Sequence, residues 1–398
     1  MKLMVPVVAA LAIAACSGSG PSSLPSAPGA ASSGTHITPD WQAQHLAVAM
    51  CPGDRWHGEM QCDALMLNGK TGGMQPDVSG LGPPDFQTWY KLPSATKGKG
   101  QIVAIVDAYD NPNVASDLAT YRANFGLPTG HFTKYNQNGQ TSNYPQGNQN
   151  WGGEIDLDVD MVSASCPNCT IYLIEANNNS DSNLYAAEKE AVTLGAKVVT
   201  NSWGGGGGGT TGNAFDSPGV VYLASAGDGG YGMQDPADYN TVVSVGGTVL
   251  QHQGSSYIEN VWRDTGGGCS RVTKPSWQKD PSCSKRTGND VSAVAFGVAV
   301  YDSYGYGGWT EFAGTSVSSP LLAGVFGLAA NEKKHQGGKP FWTVKKKKLG
   351  KDFHVISSGS NQCPPSITGS YLCTAGTGQF GQYSGPAGWG TPLGIGAF

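Results

Sequence analysis

Gly100-Gln101-Ile102-Val103-Ala104-Ile105-Val106-Asp107 is the stretch that decides the fold. A short, unbroken apolar run opened by glycine and closed by a carboxylate predicts a strand buried on both faces. That is the habit of strands in a parallel sheet. Similar runs recur at Ile171-Tyr172-Leu173-Ile174, Lys197-Val198-Val199-Thr200, Val220-Val221-Tyr222-Leu223-Ala224 and Val242-Val243-Ser244-Val245. Helical patterns over 154–165 and 183–195 separate the first three runs. This alternation predicts an α/β architecture with a mainly parallel central sheet. Functional residues are then expected in loops at the carboxyl ends of the strands. No internal repeat is present.

The first helical pattern carries four acids: Glu154, Asp156, Asp158 and Asp160. At about 100° per residue, Glu154, Ile155, Met161 and Val162 all fall within about 60° of Asp158. Asp156, Asp160 and Ser163 point roughly the opposite way. Glu154 and Asp158 are therefore expected on the inward face, and the other two aspartates in water. An acidic surface helix is the plain alternative, but it would expose Ile155, Met161 and Val162 as well. Two half-buried carboxyls one turn apart cannot both ionise readily, so such a pair can hold one proton and pass it on.

Gly314-Thr315-Ser316 precedes Val317-Ser318-Ser319-Pro320 and the apolar run Leu321-Leu322-Ala323-Gly324-Val325-Phe326. Proline near a helix start fits its fixed φ. Ser316 would then stand at the positive end of a buried helix, a good position for a nucleophile. Alternatively, Ser316, Ser318 or Ser319 merely caps that helix. Ala224-Ser225-Ala226-Gly227-Asp228 ends another apolar strand in a glycine turn. A turn aspartate is the ordinary reading. In the functional one, a protonated Asp228 donates a hydrogen bond to an oxyanion, a role that requires acid pH or a raised pKa.

Around these motifs, the chain of 398 residues is 39% hydrophobic, enough for a large core or two domains. Only 13% of residues are charged and the net charge is −5, so no basic surplus points to nucleic acid. A polar, weakly charged surface with 59 glycines suits a protein exposed to acid. Residues 1–16 read as an export signal: Lys2, an apolar run from Met4 to Ala14, then Ala15 before Cys16. That run is too short to span a bilayer. Ile13-Ala14-Ala15-Cys16 resembles a bacterial lipobox, which would place a lipid on Cys16; plain secretion is the alternative. Setting Cys16 aside from nine cysteines leaves eight, close neighbours in sequence: 51 with 62, 166 with 169, 269 with 283, and 363 with 373. Four local bridges are expected, although sequence alone does not fix connectivity. Cys166-Pro-Asn-Cys169 has redox or zinc spacing but no second pair or histidine cluster beside it, which favours a structural bridge.

The three motifs, in this order, resemble those of the sedolisins, the serine-carboxyl peptidases of subtilisin-like fold. Glu154-x-x-x-Asp158, Ser225-x-Gly227-Asp228 and Gly314-Thr315-Ser316-x-x-x-Pro320 carry the resemblance. Supporting matches are Asn201-Ser202-Trp203-Gly204, Val261-Trp262 before Gly268-Cys269-Ser270, and Pro275-Ser276-Trp277-Gln278. The resemblance implies a three-layer fold and a peptidase domain over 85–398. It also implies that Ser316 is the nucleophile, Glu154 its base, Asp158 the support of Glu154, and Asp228 the oxyanion donor. Ser202, Trp203 and Gly204 would line the cleft and pair with a peptide substrate as an added strand. The expected activity is an acid endopeptidase acting on proteins or peptides through an acyl-enzyme, exported, monomeric and touching a membrane only through a lipid on Cys16.

Two departures stand out. The family's calcium acids are replaced by Val355 and Ser384, with Asp352 out of register, so no cofactor is required and a tight calcium site is not expected. Residues 17–35 read as a flexible tether, and 36–84 as a short N-terminal segment in place of a long folded pro-domain. Gly204 to Gly209 suggests a mobile loop, and Lys345 to Lys348 a solvated turn. One competing reading is a histidine-based subtilisin-type enzyme using Asp107 and Ser316. It lacks a histidine in a suitable helix context among the seven in the chain, leaving Asp107 structural or a support behind the site. Another is an inactive surface lipoprotein of the same fold that acts as a binder.

Overall fold

The computed structural model describes residues 39–52, 58–67, 78–206, 214–334, 336–343 and 350–398. The signal, lipobox and tether, the second half of the glycine run and the lysine run lie outside these residues. The N-terminal segment contributes helix α1 (Asp40–Ala43) and three short strands: β1 (Ala47–Ala49), β2 (Gln61–Cys62) and β3 (Leu65–Leu67). After α2 (Pro83–Trp89) come β4 (Ile102–Ala108), α3 (Val114–Asn124), β5 (Phe132–Asn136), α4 (Gln149–Ser165), β6 (Thr170–Ala176), α5 (Asp181–Thr193) and β7 (Val198–Asn201). Then follow β8 (Trp203–Gly204), β9 (Val221–Ser225), β10 (Val242–Gln253), β11 (Ser256–Val261), β12 (Gly268–Thr273) and β13 (Lys285–Gly288). The last elements of the core are β14 (Val291–Val294), β15 (Phe296–Asp302), β16 (Gly308–Ala313) and α6 (Thr315–Ala329).

The apolar runs form one 8-stranded sheet in the order β11-β10-β9-β7-β4-β6-β5, with β14 added beside β10. All its pairings are parallel except β10 with β11. The α/β expectation holds, and β4 sits near the sheet centre with Val103 to Val106 buried. Helices α4 and α6 pack on each other and on the sheet, while α5 packs on β4 and β6. Asn148 starts α4 by accepting from the N–H groups of Asn150 and Trp151 at 3.0 and 3.1 Å.

One expectation fails on α4. Asp156, Asp160 and Ser163 do not face water; all three are buried, like every residue from Trp151 to Ser165. The reason is a second covering layer: α2, α3 and β15 pack on the side of α4 turned away from the sheet. A helix enclosed all round has no wet face. Asp156 Oδ2 accepts from Asn111 Nδ2 at 2.7 Å, and Asp160 Oδ2 from the Tyr301 N–H at 3.2 Å. All four expected disulfides form: Cys51–Cys62, Cys166–Cys169, Cys269–Cys283 and Cys363–Cys373.

Candidate active site

Ser316 is the second residue of α6. Its hydroxyl donates to Glu154 Oε2 at 2.9 Å, with the Ser202 carbonyl at 3.1 Å on the other side. None of the three serines caps the helix, whose start is Gly314. Ser318 Oγ bonds the carbonyls of Ala293 and Val294, and Ser319 Oγ bonds Thr200, so these two hold α6 on its neighbours. Pro320 lies inside α6 and brings no N–H to the Ser316 carbonyl. Ser202 Oγ stands 3.4 Å from that carbonyl and donates to Asp158 Oδ1 at 2.7 Å. Ser202 thus ties α6 to α4.

Glu154, Asp158 and Ser316 are each 0% exposed. Burial is the main reason both carboxyls titrate well above their ordinary range, and the charges of Asp158 and Asp107 push Glu154 higher still. Asp107, at the carboxyl end of β4, is also fully buried, and both its oxygens lack a hydrogen-bond partner. Burial pushes it up to about 8. Read from the sequence as structural or a support behind the site, it is the third member of a carboxyl cluster around Glu154. The signal that marks it is the acid closing the most apolar strand of the sheet.

Asp228 follows the carboxyl end of β9. Its Oδ1 accepts from the backbone N–H and the hydroxyl of Thr315, at 2.8 and 2.9 Å, which fixes the carboxyl at the start of α6. Gly314 keeps that corner open. Its φ is 124°, and a Cβ there would lie 1.9 Å from the Asp63 carbonyl oxygen and 2.8 Å from Asp228 Oδ2. The sequence-predicted residues Ser316, Glu154, Asp158, Asp228 and Ser202 therefore converge at the carboxyl ends of the central strands.

Trp203 and Gly204 form the edge strand β8, but the indole of Trp203 points into the core. It is fully buried and donates to the Val106 carbonyl at 2.8 Å. What faces the cleft is the backbone of 203–204, and it is already paired: β2 runs antiparallel to it, Gln61 opposite Gly204 and Cys62 opposite Trp203. Beside this pairing, Gly205, Gly206, Asp228, Tyr231, Gln234 and Arg271 border a cavity of about 280 Å³.

Among the described residues, one group of acids could hold a hard cation: Asp117, Asp156 and Asp302, with one oxygen from each within 4.8 Å of the others. At the positions read as replaced calcium ligands, Ser384 is buried and pairs its backbone with Gly388, and Val355 offers no side-chain oxygen. The histidine alternative has no support at Ser316, whose hydroxyl donates to Glu154. His252 pairs with Asp85, and His354 stacks on Trp89.

Residues 98–390 match the Subtilase family. The chain is 28% identical over 366 residues to kumamolisin of Bacillus sp. (strain MN-32), covering 79% of this chain and 62% of that protein. It is 26% identical over 365 residues to sedolisin of Pseudomonas sp. (strain 101), covering 79% of this chain and 60% of that one. It thus spans about three fifths of the length of these curated relatives. A solved Pseudomonas sedolisin, described as a serine-carboxyl proteinase complexed with two molecules of pseudo-iodotyrostatin, has a similar fold. The TM-score is 0.66 at 24% identity, over 80% of this chain and 96% of that one. With its central parallel sheet and a carboxylate pair facing the serine, the chain belongs to the subtilase family and, within it, to the sedolisins.

Proposed function

We propose that this protein is a serine-carboxyl peptidase that works in acid. The single observation carrying the reading is the 2.9 Å hydrogen bond from Ser316 Oγ to a buried Glu154. As Ser316 attacks the substrate carbonyl, its proton passes to Glu154 Oε2, and Asp158 shares the gain through the pair's common proton. Asp107 adds a third carboxyl behind them. Asp228, in its protonated form, donates to the oxyanion; acid supplies that proton, and Thr315 holds the carboxyl in place. Glu154 then returns the proton to the departing amine, and water releases the acyl group from Ser316 by the reverse sequence. Every step uses side chains of this chain, so the mechanism calls for no cofactor.

Four disulfides support export, since such bridges persist in oxidising compartments. The lipid on Cys16 is part of this proposal, and cell fractionation of a Cys16→Ala variant tests it. The activity is tested by peptide hydrolysis from about pH 3 to 8, a range spanning ordinary carboxyl and histidine pKa values. Hydrolysis that peaks in acid and disappears in Ser316→Ala supports the reading. A neutral or alkaline optimum overturns the carboxylate base. A folded protein with no Ser316-dependent hydrolysis on any peptide points to a binder.

A further inference from the structure

The N-terminal segment lies in the cleft as a peptide substrate would. Gln61 and Cys62 pair with Gly204 and Trp203, and the Asp63 N–H donates to the Ser202 carbonyl at 3.0 Å. On the opposite side, the Met60 N–H donates to the Asn179 carbonyl at 2.8 Å, Asn179 Nδ2 donates to the Met60 carbonyl at 2.7 Å, and Glu59 bridges Ser180. Residues 59–63 therefore form a middle strand whose neighbours on both sides belong to the body of the protein. Past this point, the Asp63 carbonyl oxygen lies in the corner kept open by Gly314 beside Asp228. The chain then leaves through Leu65 and Met66, which pair with Ala313 and Phe312. The Asp63–Ala64 peptide group is thus held next to Ser316.

The side chain of Asp63 sits in a built pocket. Only 1% exposed, it accepts at Oδ2 from Ser225 Oγ at 2.6 Å and from Gln234 Nε2. Gln234 Nε2 also reaches the Ser225 carbonyl at 3.2 Å. Glycines form the wall behind this amide: a Cβ on Gly204 would lie 2.1 Å from Gln234 Cδ, and one on Gly227 3.0 Å from Gln234 Oε1. Two neutral donors focused on one oxygen suit a short side chain ending in an acceptor. An apolar side chain there would leave buried donors unpaired, a strong basis for rejection.

We propose that the pocket of Ser225 and Gln234 selects aspartate, and next asparagine, at the residue just before the hydrolysed bond, and that Asp63 is the protein's own occupant of it. The strand Gln61–Asp63 then acts as a competitive plug that mimics such a substrate. This deepens the peptidase reading and rests on it. Hydrolysis adds water across the bond that follows the selected residue, the hydroxyl going to the new carboxyl and the hydrogen to the new amine.

The test uses the full chain and one peptide series differing only at that residue: Asp, Asn, Glu, Ala and Leu. The Asp peptide is expected to exceed the Leu peptide at least tenfold in kcat/KM. Gln234→Leu and Ser225→Ala should each pull that ratio towards one, whatever they do to overall rate. Asp63→Leu in the full chain should raise turnover of the Asp peptide about tenfold by loosening the plug. Ser316-dependent hydrolysis that treats Leu as well as Asp overturns the pocket assignment and leaves the peptidase reading standing. If neither the unaltered chain nor Asp63→Leu hydrolyses any peptide, the peptidase reading falls. Fluorescence polarisation of the same peptides on that variant then decides the pocket: tenfold tighter binding of Asp supports it, and equal binding overturns it.

Discussion

Ser202 donates its hydroxyl to Asp158 Oδ1 at 2.7 Å, while its carbonyl faces the Ser316 hydroxyl at 3.1 Å. One residue thus holds Asp158 and Ser316 in a common frame. Its hydrogen bond also favours the ionised form of Asp158. Ser202→Ala removes that bond but leaves the carbonyl. Asp158 should then hold its proton to higher pH, and the acid limb of the kcat/KM profile should move upward by under about one unit, with about a tenfold loss of rate. An unchanged acid limb would show that Asp158 titrates independently of Ser202.

Glu154→Gln keeps a hydrogen-bond acceptor near Ser316 but no base. A loss of about 10²–10⁴ in kcat is expected across the whole acid range, with KM little changed. Folding should survive, because the substitution replaces a group that burial already disfavours as an anion. Single-turnover kinetics beside a thermal melt separates the two effects.

The fold was legible because parallel strands are buried on both faces, so Ile102–Val106 and the other runs announce themselves without an alternating pattern. The inward face of α4 was legible for the same kind of reason: Glu154 and Asp158 share it with apolar residues. The opposite face was misread because a helical wheel assumes one wet side, and nothing local in Asp156 or Asp160 records the layer of α2, α3 and β15 laid over them. The plug was not legible at all. Strands of two or three residues, such as Gln61–Cys62 and Leu65–Leu67, carry no periodicity, and their pairing partners lie far along the chain. Asp107 was legible as structural or a support behind the site, but only the structure shows it fully buried with both oxygens lacking a hydrogen-bond partner.

The same buried acids set how stability responds to pH. Asp302 is raised to about 6, Asp107 to about 8, and Glu175 and Asp238 to about 9, burial being the first cause in each case. A carboxyl whose pKa is higher in the folded state binds its proton more tightly there. Its stabilisation is full below the ordinary carboxyl pKa and is lost as pH rises through the folded value. The melting temperature should therefore fall from about pH 4 to 9. Asp302 alone accounts for about 2 kcal/mol between pH 4 and 6. Asp302→Asn should flatten the curve in that window while retaining the Gly305 N–H bond at 2.6 Å. A melting temperature that rises with pH would contradict the whole pattern.

Cys51 and Cys62 are bridged just before Asp63 and stand 11 positions apart in sequence. The bridge holds β2 against the segment that carries Met50, whose N–H donates to the Ala64 carbonyl at 3.0 Å. It therefore restrains the plug from both sides of the cleft corner, and opening it frees a loop whose closure is worth about 3 kcal/mol at most. The double variant Cys51→Ser with Cys62→Ser should raise turnover of a short peptide about tenfold. The elements α4, α6 and β7 should keep their stability, since they share no covalent link with this bridge. Hydrogen exchange should show faster exchange over 59–66 and unchanged protection in α4 and α6. Slower turnover in the double variant, with the same exchange pattern, would mean that the strand completes the site instead of blocking it.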